Sequence, residues 1–286
     1  MFDGFVRHGE LWHPAGQVDE ADPYRAIWNR EADEDAVYSA TGIVSHGRED
    51  YATLTATRQR LWREFPRRHL GTVLEVGCGY GRVAMLLSRE RGVTCERYIG
   101  VDIARQMLAR FARYRREFDL FPGAGFDLVC ASIDDVPLED DSIDVVVSSG
   151  VFLHMGKQYV ERAFAHLARA LRPGGAIVFD TSFPNARAIG GLPARLYGRL
   201  APPKANRVKH WTRGELERLM RDSGLEAKVG RYTIEPTVFA VLPNRFRRRT
   251  IPLAATINRL LDPPPRALED VVATMYSVHS PIAPVP

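Results

Sequence analysis

The feature that most constrains the fold is a regular alternation of short apolar runs and amphipathic helical stretches along the middle of the chain. The runs are rich in β-branched residues and are too short to be helices. Predicted strands lie at 72–76, 97–101, 126–130, 143–148 and 176–180, and predicted helices at 83–91, 104–118 and 157–171. Apolar strands separated by helices are typical of a parallel sheet with helices on both faces. The sequence therefore predicts a doubly wound α/β fold.

The segments on either side of this alternation follow a different pattern. At Thr212 the sequence TRGE is a capping box, which predicts a helix that ends at Gly224. Closing strands are predicted at 226–232 and 237–242, and helices at 48–65, at 253–261 and in a last stretch to about 277. The predicted division is an N-terminal cap or helical segment at 1–66, a core at 67–242 with a cap insertion at 182–210, and a partly helical C-terminal extension at 243–286.

Composition narrows the class of protein. The 286 residues carry a formal net charge of +4 and only three cysteines, which form no CxxC pair. An odd number of unpaired cysteines favours a reducing compartment. The sequence shows no secretory signal pattern and no run of ~18 apolar residues that could span a bilayer. We therefore expect a cytoplasmic protein.

A glycine-rich turn follows the first predicted strand of the core, in the stretch VLEVGCGYGRVA at 73–84. Such a turn can place backbone N–H groups against a ligand. Its glycines, Gly77, Gly79 and Gly81, follow the spacing GxGxG, whereas dinucleotide-binding turns use GxGxxG to approach a pyrophosphate. The position of the third glycine in that pattern is occupied by Arg82, which argues against a dehydrogenase.

Two carboxylates define the ligand more closely. Glu75 precedes the turn, where a negative charge would repel a pyrophosphate and would suit a ligand that carries positive charge. S-adenosylmethionine, with its ammonium and sulfonium groups, is such a ligand. Asp102 ends the next strand, where it can accept hydrogen bonds from both hydroxyls of a ribose.

Four stretches resemble the class I S-adenosylmethionine-dependent methyltransferases, and in particular the small-molecule branch that includes quinone and natural-product enzymes. They are VLEVGCGYGRVA, YIGVDIARQML, ASIDDVPLEDDSIDVVVSSGVFLHM and LARALRPGGAIVFDTS, in the order of the family. The resemblance implies a Rossmann-like methyltransferase fold with a mostly parallel seven-stranded sheet whose last strand is antiparallel. It also implies S-adenosylmethionine as the cofactor.

The resemblance assigns a role to each residue of the cofactor site. It implies that the turn at Gly77, Cys78 and Gly79 wraps the methionine part of the cofactor, and that Glu75 orders this turn and faces the ammonium. Asp102 would hold the ribose, and Ile103 would lie against the adenine. Where family members often have an aspartate that binds the adenine amino group, this chain has Ser132, with the backbone N–H of Ile133 beside it. Ser149 and Gly150 would lie beside the methyl donor.

The sequence defines the methyl acceptor less closely than it defines the cofactor. Candidates for a general base are His154, His210 and Tyr159, and each of them could instead be a structural residue. Aromatic residues from the flanking segments are expected to build a pocket for a small organic molecule: Trp12, Trp28, Tyr38, Phe183, Tyr197, Trp211 and Phe239. No metal-ligand spacing is present, and the basic RFRRR cluster at 245–249 lacks the interleaved aromatics of a nucleic-acid site.

These observations predict methyl transfer to a small acceptor, with a hydroxyl oxygen as the acceptor atom. The alternatives are carbon methylation of quinone type and a scaffold that binds S-adenosylmethionine or S-adenosylhomocysteine without turnover. The amphipathic, basic segment LPARLYGRL at 192–200 could cover the pocket or rest transiently on an anionic membrane. No nucleic-acid partner is expected.

Overall fold

The computed structural model describes residues 2–16, 25–26, 28–29, 69–90, 92–182, 211–226, 228–236 and 272–279. These residues form nine strands and four α-helices, together with a π-helical turn and two short 3₁₀ turns. The strands are β1 Phe5–His8, β2 Leu11–Pro14, β3 His69–Val76, β4 Thr94–Asp102, β5 Gly125–Cys130, β6 Ile143–Ser148, β7 Leu171–Ser182, β8 Lys228–Pro236 and β9 Val272–His279. The helices are α1 Arg82–Met85, continued by a π-helical turn over Leu86–Glu90, α2 Arg105–Phe118, α3 Lys157–Ala170 and α4 Arg213–Asp222.

All nine described strands belong to one sheet in the order β1-β2-β5-β4-β3-β6-β7-β9-β8. The pairs from β2 to β7 are parallel, whereas β1 pairs with β2, and β9 with both β7 and β8, in antiparallel fashion. The seven strands from β5 to β8 form the predicted mostly parallel sheet, and its last strand along the chain is antiparallel. The predicted fold class is confirmed.

Within the core, the predicted strands and helices agree with the structure to within a few residues. The strand over Ile143–Ser148 has the predicted bounds, and Thr212 forms the predicted capping box with Glu215 at the start of α4. The helix predicted after the glycine turn is α-helical only over Arg82–Met85 and continues as the π-helical turn.

The flanking segments contain strands that were not predicted, and one helix prediction there is wrong. The N-terminal segment, which shows no regular period in the sequence, forms the hairpin β1–β2 and adds two strands to the sheet. Residues 272–277, predicted to be helical, belong to β9, which lies between β7 and β8. The sheet thus takes a strand from the segment that the sequence assigned to a C-terminal extension. The predicted helices at 48–65 and 253–261 and the predicted strand at 237–242 lie outside the described residues.

Successive side chains of a strand point to opposite faces of the sheet. In the central strands the side chains on both faces are buried, each set in its own apolar cluster. In β3, Val73 belongs to the cluster that contains Phe111 of α2, whereas Leu74 belongs to the cluster that contains Phe164 of α3 and Leu216 of α4. Val73 and Leu74 are both fully buried. Because β3 is packed on both faces, its carboxyl end fixes the position and direction of the glycine turn that follows it.

The N-terminal hairpin is attached to the sheet through the buried carboxylate of Asp127 in β5. Trp12 donates its indole N–H to Asp127 Oδ1 at 2.8 Å, and Arg97 of β4 donates to Oδ2 at 2.8 and 3.0 Å. A buried carboxylate is stable in such a place only when it is paired and hydrogen-bonded. This attachment brings Phe5 and Pro14 to the wall of the cavity described below.

From β3 the chain adds β4 and β5 on one side of the sheet, and it then crosses over to add β6 and β7 on the other side. β3 is therefore the switch point of the sheet. In open α/β sheets, ligands bind beyond the carboxyl ends of the strands at such a switch point. No helix among the described residues is long and apolar enough to cross a membrane.

Candidate active site

A cavity of about 850 Å³ lies at the carboxyl ends of β3 to β6, at the switch point of the sheet. Its volume is within the range of roughly 300–1,000 Å³ that is usual for ligand pockets. Most of the residues that the sequence assigned to a site line it: Gly77, Cys78, Gly79, Asp102, Ile103, Ser132, Ile133, Ser149, Gly150 and His154. Glu75 and Gly81 were assigned to the same site but are not among its lining residues.

The three glycines of the turn all have positive φ, but their surroundings differ. A Cβ atom on Gly77 would lie 2.2 Å from Cγ2 of Val151, and one on Gly81 would lie 2.3 Å from the ring of Phe111. A Cβ atom on Gly79 would meet no protein atom within 4 Å. Gly77 and Gly81 therefore allow close packing below the turn, whereas Gly79 leaves backbone exposed to the cavity.

Asp102, at the end of β4, is held in place by backbone donors. Its Oδ2 accepts a hydrogen bond from Gly79 N at 2.8 Å, and its Oδ1 accepts one from Ala104 N at 2.8 Å. Burial raises the pKa of this carboxyl, and the hydrogen bonds from Ala104 and Gly79 oppose that shift. Each carboxylate oxygen can accept a further hydrogen bond, so Asp102 can bind a ligand hydroxyl without moving.

Glu75 supports the turn from below and does not face the cavity. Its side chain is buried, the hydroxyl of Tyr98 donates a hydrogen bond to Oε2, and the backbone N–H of Ala84 in α1 donates to the same carboxyl. Burial raises the pKa of Glu75 to about 8, despite these hydrogen bonds and the nearby charge of Arg82. Glu75 thus lies where it can order the turn, which is one of the two roles that the resemblance implies. It does not line the cavity, as it would have to do to face a ligand ammonium.

The raised pKa of Glu75 makes stability depend on pH. Above its ordinary pKa of 4.5 the unfolded chain loses this proton, whereas the folded chain keeps it up to about pH 8. Glu75 therefore lowers the free energy of unfolding progressively as the pH rises from 4.5 to 8. We expect Glu75→Gln, which cannot ionise, to be more stable than the wild type at pH 8 by ~1–3 kcal/mol, and much less so at pH 5.

Urea unfolding of both proteins at pH 5 and pH 8 measures this difference. The exposed residue Glu139 provides the matched control, since Glu139→Gln changes the same functional groups outside the buried cluster. Equal pH dependence in the wild type and in Glu75→Gln would contradict the prediction.

Ser132, at the end of β5, takes part in a short chain of hydrogen bonds. Its hydroxyl donates to Asp134 Oδ1 at 2.7 Å and lies 2.7 Å from the hydroxyl of Tyr159 in α3. Because its proton is directed to Asp134, the Ser132 oxygen is an acceptor toward Tyr159 and toward any ligand donor. Tyr159 also lines the cavity, and burial raises its pKa to about 12, so it is a poor base near neutral pH.

His154 ends a 3₁₀ turn over Phe152–His154 that follows β6, and it lines the cavity. The Trp28 ring packs edge-on against its imidazole with ring centroids 5.7 Å apart. Its Nδ1 atom is buried and has no hydrogen-bond partner within the described parts of the chain. Burial lowers the pKa of His154, so the imidazole is neutral and able to accept a proton at neutral pH. His210, the other candidate histidine, lies outside the described residues.

Other cavity residues were missed by the sequence analysis or were assigned differently. Trp28 lines the cavity as predicted, whereas Trp12 bonds to Asp127 and Trp211 packs in the core, so neither forms its wall. The remaining predicted pocket aromatics, at 38, 183, 197 and 239, lie outside the described residues. The lining residues to which the sequence analysis assigned no site role include Arg25, Tyr80, Arg82, Met107 and Asp135.

The position of Tyr80 and Arg82 inside the glycine motif was a signal that they would lie at the site. Arg25 offered no comparable signal, because it comes from the segment before β3 and reaches the site only in the folded protein. Its guanidinium donates to the carbonyl oxygen of Ile103 at 3.0 Å. Among the described residues, no group of three or more His, Cys, Asp or Glu side chains could hold a metal ion.

The sheet order, the glycine turn and the Asp102 carboxylate define a doubly wound α/β domain with a cavity at its switch point. Residues 74–179 match the protein family described as "Methyltransferase domain". This part of the chain, which is similar to a methyltransferase domain, contains the core from β3 to β7 and the turns that line most of the cavity.

Individual relatives extend this comparison. The chain is 35% identical over 120 residues to a malonyl-[acyl-carrier protein] O-methyltransferase of Methylococcus capsulatus, covering 40% of each protein. It is 32% identical over 159 residues to a "Probable S-adenosylmethionine-dependent methyltransferase" of Mycolicibacterium smegmatis, covering 54% of this chain and 52% of that one. The chain thus spans about half or less of the length of these curated relatives.

A solved structure shows the same fold at lower identity. It is phosphoethanolamine N-methyltransferase 2 of Haemonchus contortus in complex with phosphomonomethylethanolamine and S-adenosylhomocysteine. The TM-score is 0.60 at 15% identity, and the match covers 90% of this chain and 59% of that one.

Proposed function

We propose that this chain transfers a methyl group from S-adenosylmethionine to a small organic acceptor, and that the acceptor atom is a hydroxyl oxygen. The observation that carries the proposal is the cavity at the switch point, which combines an open glycine turn, a preoriented carboxylate and a neutral histidine. The family match over residues 74–179 and the names of the relatives support the cofactor. The relatives differ in acceptor atom, so the choice of oxygen rests on the residues of this chain.

The residues present fit an adenosine ligand with an amino-acid tail. The backbone at Gly79 is open to the cavity, which leaves room for a ligand close to the turn. Asp102 would accept hydrogen bonds from the ribose hydroxyls, and the Ser132 oxygen would accept one from the adenine amino group. Ile103 and Ile133 supply apolar wall for the adenine ring, and Ser149 and Gly150 lie on the β6 side, where the methionine part would extend.

When bound, S-adenosylmethionine supplies a methyl group on a sulfonium, which is already a good leaving group. The protein must then align the acceptor in line with that bond, exclude water and receive the proton of an attacking hydroxyl. His154 is suited to the last task, because it lines the cavity and its imidazole is neutral at neutral pH, since burial lowers its pKa. Trp28 packs against this ring and restricts its orientation.

The first test is isothermal titration with S-adenosylmethionine and, separately, with NAD. We expect binding of S-adenosylmethionine only; binding of NAD alone would refute the proposal. Isotope-labelled methyl transfer to panels of hydroxylated, quinone-like and amine acceptors then separates oxygen, carbon and nitrogen methylation. Cofactor binding without turnover of any panel would favour the non-catalytic scaffold over the enzyme.

The ribose assignment gives a second, residue-specific prediction. We expect Asp102→Ala to weaken binding of S-adenosylmethionine by ~1–3 kcal/mol, because two hydrogen bonds from the ribose to a charged acceptor are lost. Asp140→Ala is the matched control, since Asp140 is exposed, pairs with Arg169 and lies outside the cavity. An affinity that Asp102→Ala leaves at the wild-type value would refute this role.

A further inference from the structure

We infer that Phe5 of the hairpin β1–β2 closes the base end of the cavity, so that the site rejects cofactors with a bulky group on the adenine amino nitrogen. This inference rests on the proposed function and names a selectivity of the same site. The hairpin lies outside residues 74–179, which are similar to a methyltransferase domain. It is therefore an addition that this chain makes to the part of the sheet that the domain covers.

The sheet order places the hairpin at the end of the site where the base would lie. Beyond β5, the next strands of the sheet are β2 and β1. Trp12 of β2 pairs with Val129 of β5 in parallel register. Two residues further along, Pro14 therefore reaches the level of Ala131, which immediately precedes Ser132. Because the Ser132 oxygen would accept a hydrogen bond from the adenine amino group, a substituent on that nitrogen that extends past β5 meets the hairpin.

The hairpin presents an apolar, packed wall to this end of the cavity. Phe5 pairs with Pro14 across the hairpin, and both residues line the cavity. Phe5 packs against the apolar cluster that contains Leu74, and its ring centroid lies 6.3 Å from that of Phe2. A ligand group that pushes the Phe5 ring aside would disrupt this packing, which is unfavourable in a close-packed interior.

The hairpin as a whole is also fixed in place. Besides the bond from Trp12 to Asp127, the backbone N–H of Leu128 donates to Glu10 O at 3.1 Å. The Glu10 carboxylate in turn accepts a hydrogen bond from Arg115 of α2, with Oε1 and Nη1 2.8 Å apart. Movement of the hairpin away from β5 would break all of these interactions, so the wall cannot easily give way to a larger ligand.

The test compares two ligands that differ only at the adenine amino group. S-adenosylhomocysteine and its analogue with a benzyl group on that nitrogen are titrated calorimetrically into the wild type and Phe5→Ala. The analogue keeps one N–H for Ser132, and its added ring is similar in size to the ring that the substitution removes. In the wild type we expect the analogue to bind about 10- to 100-fold more weakly than S-adenosylhomocysteine. Phe5→Ala should reduce this difference to less than about threefold.

Val6→Ala is the matched control, because Val6 is the next residue of the same strand, is 42% exposed and does not line the cavity. Its side chain points to the opposite face of the hairpin from that of Phe5. Val6→Ala should therefore discriminate between the two ligands as the wild type does.

If the wild type binds both ligands with equal affinity, the hairpin does not close the base end and the inference is wrong. The inference is equally wrong if Phe5→Ala discriminates as strongly as the wild type. If the wild type does not bind S-adenosylhomocysteine, the proposed function itself fails, and this outcome is distinct from the other two. Should Phe5→Ala not fold, Phe5→Leu keeps an apolar side chain at this position and decides the question. We expect it to discriminate less than the wild type, and equal discrimination would contradict the inference.

Discussion

Replacing Gly77 by alanine is expected to destabilise the fold by about 4 kcal/mol and to abolish cofactor binding. The added Cβ atom would lie 2.2 Å from Cγ2 and 2.8 Å from Cγ1 of Val151, and residue 77 has a φ of 66°, which alanine rarely adopts. The clash with Val151 and the backbone strain both arise where the turn packs against the segment after β6. Urea unfolding and titration with S-adenosylmethionine measure them separately.

Gly79 provides the matched control for the Gly77 substitution. Its φ of 52° imposes a similar backbone strain, but an added Cβ atom would meet no protein atom within 4 Å. Gly79→Ala should therefore cost only ~1–2 kcal/mol of stability, although it can still hinder a ligand. In the double variant Gly77→Ala/Val151→Ala, removal of both γ-methyl groups should recover much of the lost stability. Similar stabilities for Gly77→Ala and Gly79→Ala would show that the contact with Val151 is unimportant.

Substitution of His154 by glutamine should lower kcat by ~10²- to 10⁴-fold with an acceptor that has a hydroxyl group, while affinity for S-adenosylmethionine stays the same. Glutamine fills a similar space but cannot take up a proton. Because burial lowers the pKa of His154, the wild-type rate should rise with pH only below its ordinary value of 6.5 and stay level through neutral pH. The variant should lose this acid-side dependence.

His166 supplies the control for the His154 experiment, since it bonds to Val136 O at 2.7 Å and does not line the cavity. His166→Gln should leave the pH profile of kcat unchanged. A normal kcat for His154→Gln would assign the proton transfer to another group. An equal fall in cofactor affinity and in kcat would show that His154 shapes the cavity and does not act as a base.

The sequence predicts the core of the fold well because each core element carries its own local signal. The strand over Ile143–Ser148 is a short run rich in valine, and α4 begins at a capping box, so neither depends on distant residues for recognition. In contrast, most of β9 was predicted to be helical. Its extended form is decided by pairing with β7 and β8, and this pairing is invisible to a local pattern.

The candidate site shows the same division between local and distant information. The glycine turn and Asp102 follow directly from predicted strands, so their meeting at one edge of the sheet could be predicted. Arg25 comes from a segment without a regular period, and its approach to Ile103 depends on tertiary contacts. The position of Glu75 could not be deduced either, because its carboxyl accepts a hydrogen bond from the hydroxyl of Tyr98 in the neighbouring strand.

The place of β9 in the sheet has a consequence for synthesis of the protein on the ribosome. Phe179 of β7 pairs with Val278, so β7 has no partner on that side until the nascent chain has emerged nearly a hundred residues later. Through that interval the edge of β7 that faces away from β6 remains a template to which other extended chains can add. We therefore expect chaperones that bind nascent chains to have their greatest effect on yield during this stage.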